Sequence, residues 1–274
     1  MTGKLYICAT PIGNLKDITL RALEVLKEVD VIAAEDTRNT IKLLNHYDIH
    51  KRLISYHEHN EVTASEEIIG MLLEGKNVAL VSDAGMPAIS DPGEIVVEKC
   101  IENGIRIEVL PGPSAFTAAL ALSGLDTRRF CFEGFLPRKK KERDEILEEL
   151  KHEVRTIIIY ESPRRVMGTL RDIKDALGER NVSVSREITK VYEETFRGTI
   201  SEAIKYFEEK GTRGEFVIVV EGAEKEKPLL GIDFARGLAR RYMDQGMKKM
   251  DAIKLAAKEA GVTKREVYDI FKEV

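Results

Sequence analysis

Residues 81–93 read VSDAGMPAISDPG, and the apolar run NVALV leads straight into them. A strand therefore ends in a tight loop with two Gly, two Pro, two Asp and two Ser. A loop so stiff and so rich in exposed backbone groups and small hydroxyls is suited to holding a polar ligand closely. The plainer reading is a strand-to-helix turn in which Asp91 is the N-cap and Pro92 the first residue of the next helix.

Outward from that loop, β-rich runs alternate with helical patterns. LYICAT (5–10), VIAAE (31–35) and IRIEVL (105–110) join NVALVSD (77–83) in a first group. FCFEGF (130–135), TIIIYES (156–162), VSVSREI (182–188) and EFVIVVEG (215–222) form a second, with ETFRGTIS (194–201) as a hairpin-like addition. Amphipathic stretches such as Leu20–Lys27 and Ala64–Leu73 lie between, which predicts an α/β fold. The first four runs enter helices through turns rich in Gly, Pro, Ser and Asp, so ligand groups should gather at the carboxyl ends of those strands. This reading gives an N-terminal α/β lobe at 1–124, a second α/β lobe with a mixed sheet at 125–222, and a charged linker at 223–230. A small helix-turn-helix-like domain follows at 231–274, with helices at Asp233–Gln245, Lys249–Ala260 and Thr263–Val274. Gly261 is placed to end the second of these and Thr263 to cap the third.

Composition sets limits. The 274 residues are 43% hydrophobic and carry a net charge of −4, so any nucleic-acid site must be a local patch. Cys8, Cys100 and Cys131 are far apart and lack CxxC spacing, which fits core thiols in a reducing, cytoplasmic setting. The N-terminus lacks a signal-peptide core, and no apolar window approaches the roughly 18 residues of a membrane span. GxGxxG is absent, and the Walker-like GMLLEGKN (70–77) has Asn where Ser or Thr should hold magnesium. Dinucleotide and P-loop readings are rejected.

A second Gly/Pro turn, LPGPSA (110–115), opens a helix whose Ala118, Ala119 and Ala121 allow close approach to a ligand or a sheet. Taken with ATPIGNLKDITLRA (9–22), AAEDTRNT (33–40), SDAGMPAISDPG (82–93), YESPRR (160–165), SREITK (185–190) and GEFVIVVEG (214–222), it resembles an ordered motif set. That set belongs to the small-subunit ribosomal RNA cytidine 2′-O-methyltransferases of the tetrapyrrole-methylase superfamily. SDAGMPxxSDPG and PGPS resemble the superfamily at large and imply only the methyl donor. PIGN with EDTR, YESP and SRExTK points to the RNA enzymes.

The resemblance implies S-adenosylmethionine in a cleft between two α/β lobes, a homodimer, and a cytidine ribose of small-subunit ribosomal RNA as acceptor; transfer from so activated a donor requires no metal. By motif position, Pro11, Ser82, Asp83, Ala84, Gly85, Ile89 and Ser90 would hold the donor, with Pro111, Gly112, Ser114 and Ala115 nearby. Tyr160, Arg186, Glu187, Gly214 and Glu215 would come from the second lobe.

A ribose hydroxyl is a weak nucleophile, so a proton acceptor or a cation stabilising the alkoxide should help. Glu35 and Asp36 at a strand end are candidates, and Glu187 and Lys190, with the pair His57 and His59, come next. Asp36 is equally placed as the N-cap of a helix starting near Thr37. His57 and His59 in SYHEHNE have strand-like spacing that imitates a metal pair, yet no third ligand accompanies them, and a solvated strand end explains them better. Arg38 is a candidate phosphate contact. Arg138, Lys139, Lys140 and Lys141 form the basic patch, with Arg128, Arg129 and Arg143 close in sequence, and Arg164 and Arg165 extend it. The patch also reads as the solvated start of the amphipathic helix ERDEILEEL. Two alternatives stay open: a small-molecule methyltransferase of the corrin-precursor type, and a non-catalytic nucleic-acid-binding regulator using the C-terminal helices.

Overall fold

The computed structural model describes residues 2–224 and 231–271, and divides the chain into two compact units, Met1–Ala223 and Glu224–Val274. Most of the linker expected at 223–230, and the last three residues of the helix expected at Thr263–Val274, lie outside the described residues.

The first sheet is parallel throughout. Its strands are β1 (Lys4–Cys8), β2 (Val31–Ala34), β3 (Arg52–Ser55), β4 (Val78–Val81) and β5 (Arg106–Leu110), in the order β3-β2-β4-β1-β5. Every residue of VIAA and VALV is buried, as central strands covered on both faces require. Side chains alternate between two cores. Cys8, Ile32, Ala34, Ala79 and Val81 meet α1 (Leu20–Glu28) and α2 (Thr37–His46). Leu5, Val31, Ala33, Val78 and Leu80 meet α3 (Glu61–Leu73) and α4 (Glu94–Glu102). The short β3 is a strand that the sequence reading did not separate from SYHEHNE. It ends at Ser55, so His57 and His59 sit in a turn, not on a strand.

The chain leaves β5 through the Pro/Gly turn into α5 (Ala115–Ser123) and then builds a second sheet. Its strands are β6 (Phe130–Phe135), β7 (Thr156–Glu161), β8 (Asn181–Arg186), β9 (Glu194–Thr199) and β10 (Phe216–Val220), in the order β6-β7-β10-β8-β9. Only β6 and β7 run parallel, so the sheet is mixed. One face packs on α6 (Lys140–Leu150), α7 (Val166–Leu177) and α8 (Ile200–Lys210) around Ile157, Ile159, Val184, Phe207 and Ile218. The other face, with Ile158, Val217 and Val219, receives Ala119 and Leu120 of α5. Ala119 is fully buried there, which is the close packing its small side chain permits, whereas Ala121 is exposed and does not share in it.

The second unit has α9 (Gly231–Asp244), α10 (Lys249–Ala260) and α11 (Lys264–Ile270) around Ala235, Ala239, Ile253, Ala256 and Val267. Gly261 ends α10 in the left-handed region and Thr263 caps α11 through a capping box with Glu266.

A larger side chain at the α5 contact must splay the helix from the sheet. Ala119→Leu is expected to cost about 1–3 kcal/mol of unfolding free energy, read by denaturant titration.

Candidate functional site

The carboxyl ends of β1, β2 and β4 meet the rim of the second sheet around a cavity of about 300 Å³. The first lobe supplies Ile12, Glu35, Asp83, Ala84, Gly85, Met86, Ile89 and Asp91, and the turn into α5 adds Ser114 and Ala115. The second lobe supplies Phe135, Tyr160 and Glu161, the 187–190 loop, and Glu215, Phe216 and Val217.

Backbone pairing fixes the loop at 81–93. Thr10 and Gly85 exchange N–H···O bonds of 2.8 and 3.0 Å, and the Thr10 hydroxyl donates to the Ser82 carbonyl at 3.0 Å. The loop thereby becomes part of the end of β1. Ala88 and Ser90 take positive φ, and so do Glu187 and Thr189 on the opposite wall. Strained backbone of this kind, costing roughly 1–3 kcal/mol per residue, persists where the surroundings over-determine it and clusters at ligand sites.

Three carboxylates crowd the first-lobe side. The Asp83 amide donates to Glu35 at 3.2 Å, while the Asp83 carboxylate accepts from the Asp36 amide (3.2 Å) and the Asn39 side chain (2.9 Å). Burial raises the Glu35 carboxyl above its ordinary range; the charges of Asp83 and Asp36 add to this, while the Asp83 amide and His57 oppose it. Asp91 is pushed up to about 7, first by burial and then by Glu35, against a hydrogen bond from Ser82. The helix after the loop begins at Glu94 with Gly93 as its N-cap, so Asp91 is not the cap its position suggests. Asp91 lines the cavity instead.

Across the cavity, Lys190 donates to Glu187 at 2.9 Å and reaches Glu215 at 3.4 Å. Burial alone would raise Glu187, but Lys190 and the Glu215 amide outweigh it and hold this carboxyl below its ordinary range. Tyr160 accepts from the Phe116 amide at 3.1 Å, and burial lifts its own hydroxyl to about 12, so it keeps its proton. Glu161, only 1% exposed, accepts from Thr169 (2.6 Å) and the Ser162 amide (2.7 Å) and pairs with Arg165 at 3.3 Å.

Other residues singled out from the sequence support these walls without lining the cavity. Ser82 is buried beneath the loop, and Pro11 sits between the Thr10 bridge and Ile12. Ser90 packs on Gly134, where an added Cβ would lie 2.6 Å from its hydroxyl. Gly112 is pressed on Ala9, while Pro111 is exposed. Gly214, at φ +89, leaves room for the Glu187 side chain. Arg186 pairs with Glu194 at 2.5 Å, donates to the Gly211 carbonyl and lies over Phe207. Asp36 is the N-cap of α2, accepting from the Arg38 amide, and the Arg38 side chain folds back on it at 2.6 Å, holding it at about 2.

The basic run divides. Lys139, Lys140 and Lys141 pair with Glu142, Asp144 and Glu145 on α6, and Arg143 pairs with Asp172 at 2.7 Å. Arg128 pairs with Asp126. Arg165 donates to the Leu136 and Pro137 carbonyls. Arg129, Arg138 and Arg164 are exposed and have no ion pair among the described residues. His57 and His59 have ring centroids 6.0 Å apart, and the His57 Nδ1 is buried without a hydrogen-bond partner among the described residues. Those residues contain no group of three or more His, Cys, Asp or Glu placed to hold a metal ion, and no helix long and apolar enough to cross a membrane.

Ile12, Met86, Asp91, Phe135, Glu161, Ile188, Phe216 and Val217 line the cavity although the sequence reading assigned none of them to the site. Asp91 carried a signal, as a second acid in a ligand-type loop; Phe135, Phe216 and Val217 read as ordinary strand residues, and Ile12, Met86 and Ile188 as ordinary loop residues, until the lobes meet.

Comparison with known proteins bears on this geometry. The profile of the Tetrapyrrole (Corrin/Porphyrin) Methylases matches residues 4–204. The ribosomal RNA small subunit methyltransferase I of Halalkalibacterium halodurans is 49% identical over 99% of this chain and 95% of its own. The protein of that name from Escherichia coli O157:H7 is 48% identical over 97% of this chain and 93% of its own. The one from Thermotoga maritima is 54% identical over 222 residues, 81% of this chain and 100% of its own. Among solved structures, a diphthine synthase superposes with TM-score 0.62 at 14% identity, covering 80% of this chain and 90% of that one. A cobalt precorrin-4 methyltransferase of cobalamin biosynthesis gives 0.58 at 21%, covering 80% and 94%. Both show the same fold.

The raised Asp91 carboxyl has a consequence for stability. A proton binds it more tightly in the folded chain than in the unfolded one, so the stability it contributes is full below about 4 and is lost as pH rises to about 7. Asp91→Asn abolishes that loss. Its melting temperature relative to the unsubstituted chain is expected to climb between pH 5 and pH 8; a difference that stays constant contradicts the assignment.

Proposed function

We propose, from the premise that the chain belongs to the tetrapyrrole (corrin/porphyrin) methylase family and to its ribosomal RNA small subunit methyltransferase I branch, that it methylates a cytidine ribose 2′-hydroxyl of small-subunit ribosomal RNA. One observation carries the acceptor class. Beside an acid-lined cavity, in a chain of net charge −4, the ends of β6 and β7 present Arg138 and Arg164 exposed and without ion pairs among the described residues. Such a local cationic rim suits a phosphate backbone.

The cavity's chemistry fits S-adenosylmethionine. Glu35, Asp83 and Asp91 suit a cationic ligand, and Ala84, Gly85 and Ala115 let its bulk approach the backbone. When bound, this donor supplies a sulfonium-activated methyl group. The protein has then to align the acceptor and take up its proton, and positioning supplies on the order of 7 kcal/mol or more in favourable cases. Among the acids singled out from the sequence as proton acceptors, we assign this role to Glu35, because burial beside other acids makes it more basic than an ordinary carboxylate. Asp36, held ionised by Arg38, and Glu187, held ionised by Lys190, are weaker bases. Asp36 orders α2, and Glu187 with Lys190 builds the second-lobe wall. Arg138 and Arg164 contact phosphates, with the paired Arg38, Lys139, Lys140, Lys141 and Arg165 shaping the surface around them.

The protein acts in the cytoplasm as a homodimer. In support of the first stand three cysteines with free thiols. In support of the second, Val191 and Tyr192 in the turn between β8 and β9 are 93% and 81% exposed, an apolar pair suited to burial against a second copy.

Incubation with labelled S-adenosylmethionine and unmethylated small subunits, followed by mapping, is expected to place the label on a cytidine ribose; label on a base or none in the RNA overturns the reading. Glu35→Gln is expected to lower kcat by about 10²- to 10⁴-fold with KM for the subunits little changed.

A further inference from the structure

Strand β6 changes face in its last two residues. Phe130, Cys131 and Phe132 align with Thr156, Ile157 and Ile158 of β7, but the register then slips, so that Gly134 aligns with Ile159 and Phe135 with Tyr160. Gly134 takes φ +61, the left-handed conformation in which glycine forms a β-bulge. In β7, Ile157 and Ile159 face the helices α6–α8, whereas Ile158 and Tyr160 face the cleft side. Without the extra residue, strand alternation would stand Phe135 on the face opposite Phe132. The bulge brings it to the face of Tyr160 and the cavity.

Phe116, Phe132 and Tyr160 form a packed aromatic group, with Phe116 and Phe132 stacked at 4.6 Å and Phe132 and Tyr160 edge-on at 4.9 Å. Phe135 continues it at 5.5 Å from Tyr160, yet remains 56% exposed while lining the cavity. A ring supported on one side and open on the other is a stacking surface. Its position is locked to the first lobe, because Gly134 lies against Ser90 of the 81–93 loop.

The surrounding charge selects what stacks there. Glu35, Asp83 and Asp91 make the cavity floor acidic and suit a cation. Arg138 follows Phe135 by three residues and Arg164 leaves the neighbouring strand β7; both are exposed and lack ion pairs among the described residues. The Arg165 bonds to the Leu136 and Pro137 carbonyls hold these two strand ends together. An exposed aromatic face on a strand whose end, like that of its neighbour, carries an arginine with no ion pair among the described residues is the combination by which proteins hold unstacked nucleotides.

We propose that Phe135 is the platform on which a base of the substrate RNA stacks once splayed from its neighbours, Arg138 and Arg164 holding the flanking phosphates. This rests on the RNA-methylation reading. It adds how the acceptor nucleotide is held.

The test measures binding, so that it stands apart from turnover. Affinity for unmethylated small subunits is read by co-sedimentation with S-adenosylhomocysteine present, and affinity for S-adenosylhomocysteine alone by calorimetry. Phe135→Ala is expected to weaken subunit binding roughly ten- to hundredfold, the range for loss of one stacked base. Phe135→Leu should weaken it comparably, lacking a π-face, and Phe135→Trp should restore it. Affinity for S-adenosylhomocysteine and the melting temperature should not move. The proposal is overturned if Phe135→Leu binds subunits as the unsubstituted chain does, or if Phe135→Ala loses S-adenosylhomocysteine affinity in step, which would put the ring in the donor's site. Failure of the unsubstituted protein to methylate RNA, with subunit binding still dependent on Phe135, would sink the methylation reading and leave the stacking platform standing.

Discussion

Helix α5 belongs to the first lobe by connection and to the second by packing, and the site depends on that double allegiance. It leaves β5 through the turn at 110–115, where Ser114 and Ala115 line the cavity, and then buries Ala119 and Leu120 against Ile158, Val217 and Val219. The Phe116 amide at its first turn, one of the donors that a helix leaves without an internal partner, is satisfied by the Tyr160 hydroxyl of the second sheet. One helix thus sets the spacing of the two walls. The small residues that the sequence places there are what let helix and sheet approach closely.

From this arrangement follows a division of charge. The first lobe brings its carboxylates to the strand ends, where Glu35 and Asp91 are partly desolvated and repel one another. The second lobe answers with Lys190, which is matched to Glu187 and Glu215 and so adds little uncompensated charge to the wall. An acidic pocket rejects polyanions, so an RNA substrate must be captured outside it. Arg138 and Arg164, which follow β6 and β7, are exposed, have no ion pair among the described residues and are not among the residues that line the cavity.

The fold was largely legible in the sequence because both lobes are written in plain periodicity. VIAA and VALV are continuous apolar runs of buried parallel strands, and the mixed second sheet announced its hairpin through ETFRGTIS. The strand β3 escaped because its residues are half-exposed at a sheet edge and lead without a break into polar SYHEHNE. Within the site, the Gly/Pro-rich turns at 81–93 and 110–115 stood out because unusual backbone demands unusual residues. Asp91 was misread because Asp-Pro is also a helix-start signal; Gly93 capping α4 displaced it into the cavity. The basic run 138–141 was legible as charge, but which members are spent on α6 depends on i,i+3 and i,i+4 partners within one helix.

Phe135 shows where pattern reading stops. FCFEGF alternates as a strand should, and by alternation alone its last residue faces away from Phe132. One glycine at positive φ reverses that assignment, and its effect is visible only once the partner strand's register is known. The same glycine lies against Ser90, itself at positive φ in the loop that lines the opposite wall. Two strained or permissive backbone positions from different lobes thus brace each other across the cleft. The 81–93 loop and the bulge that turns Phe135 toward the cavity are therefore in direct contact through Ser90 and Gly134.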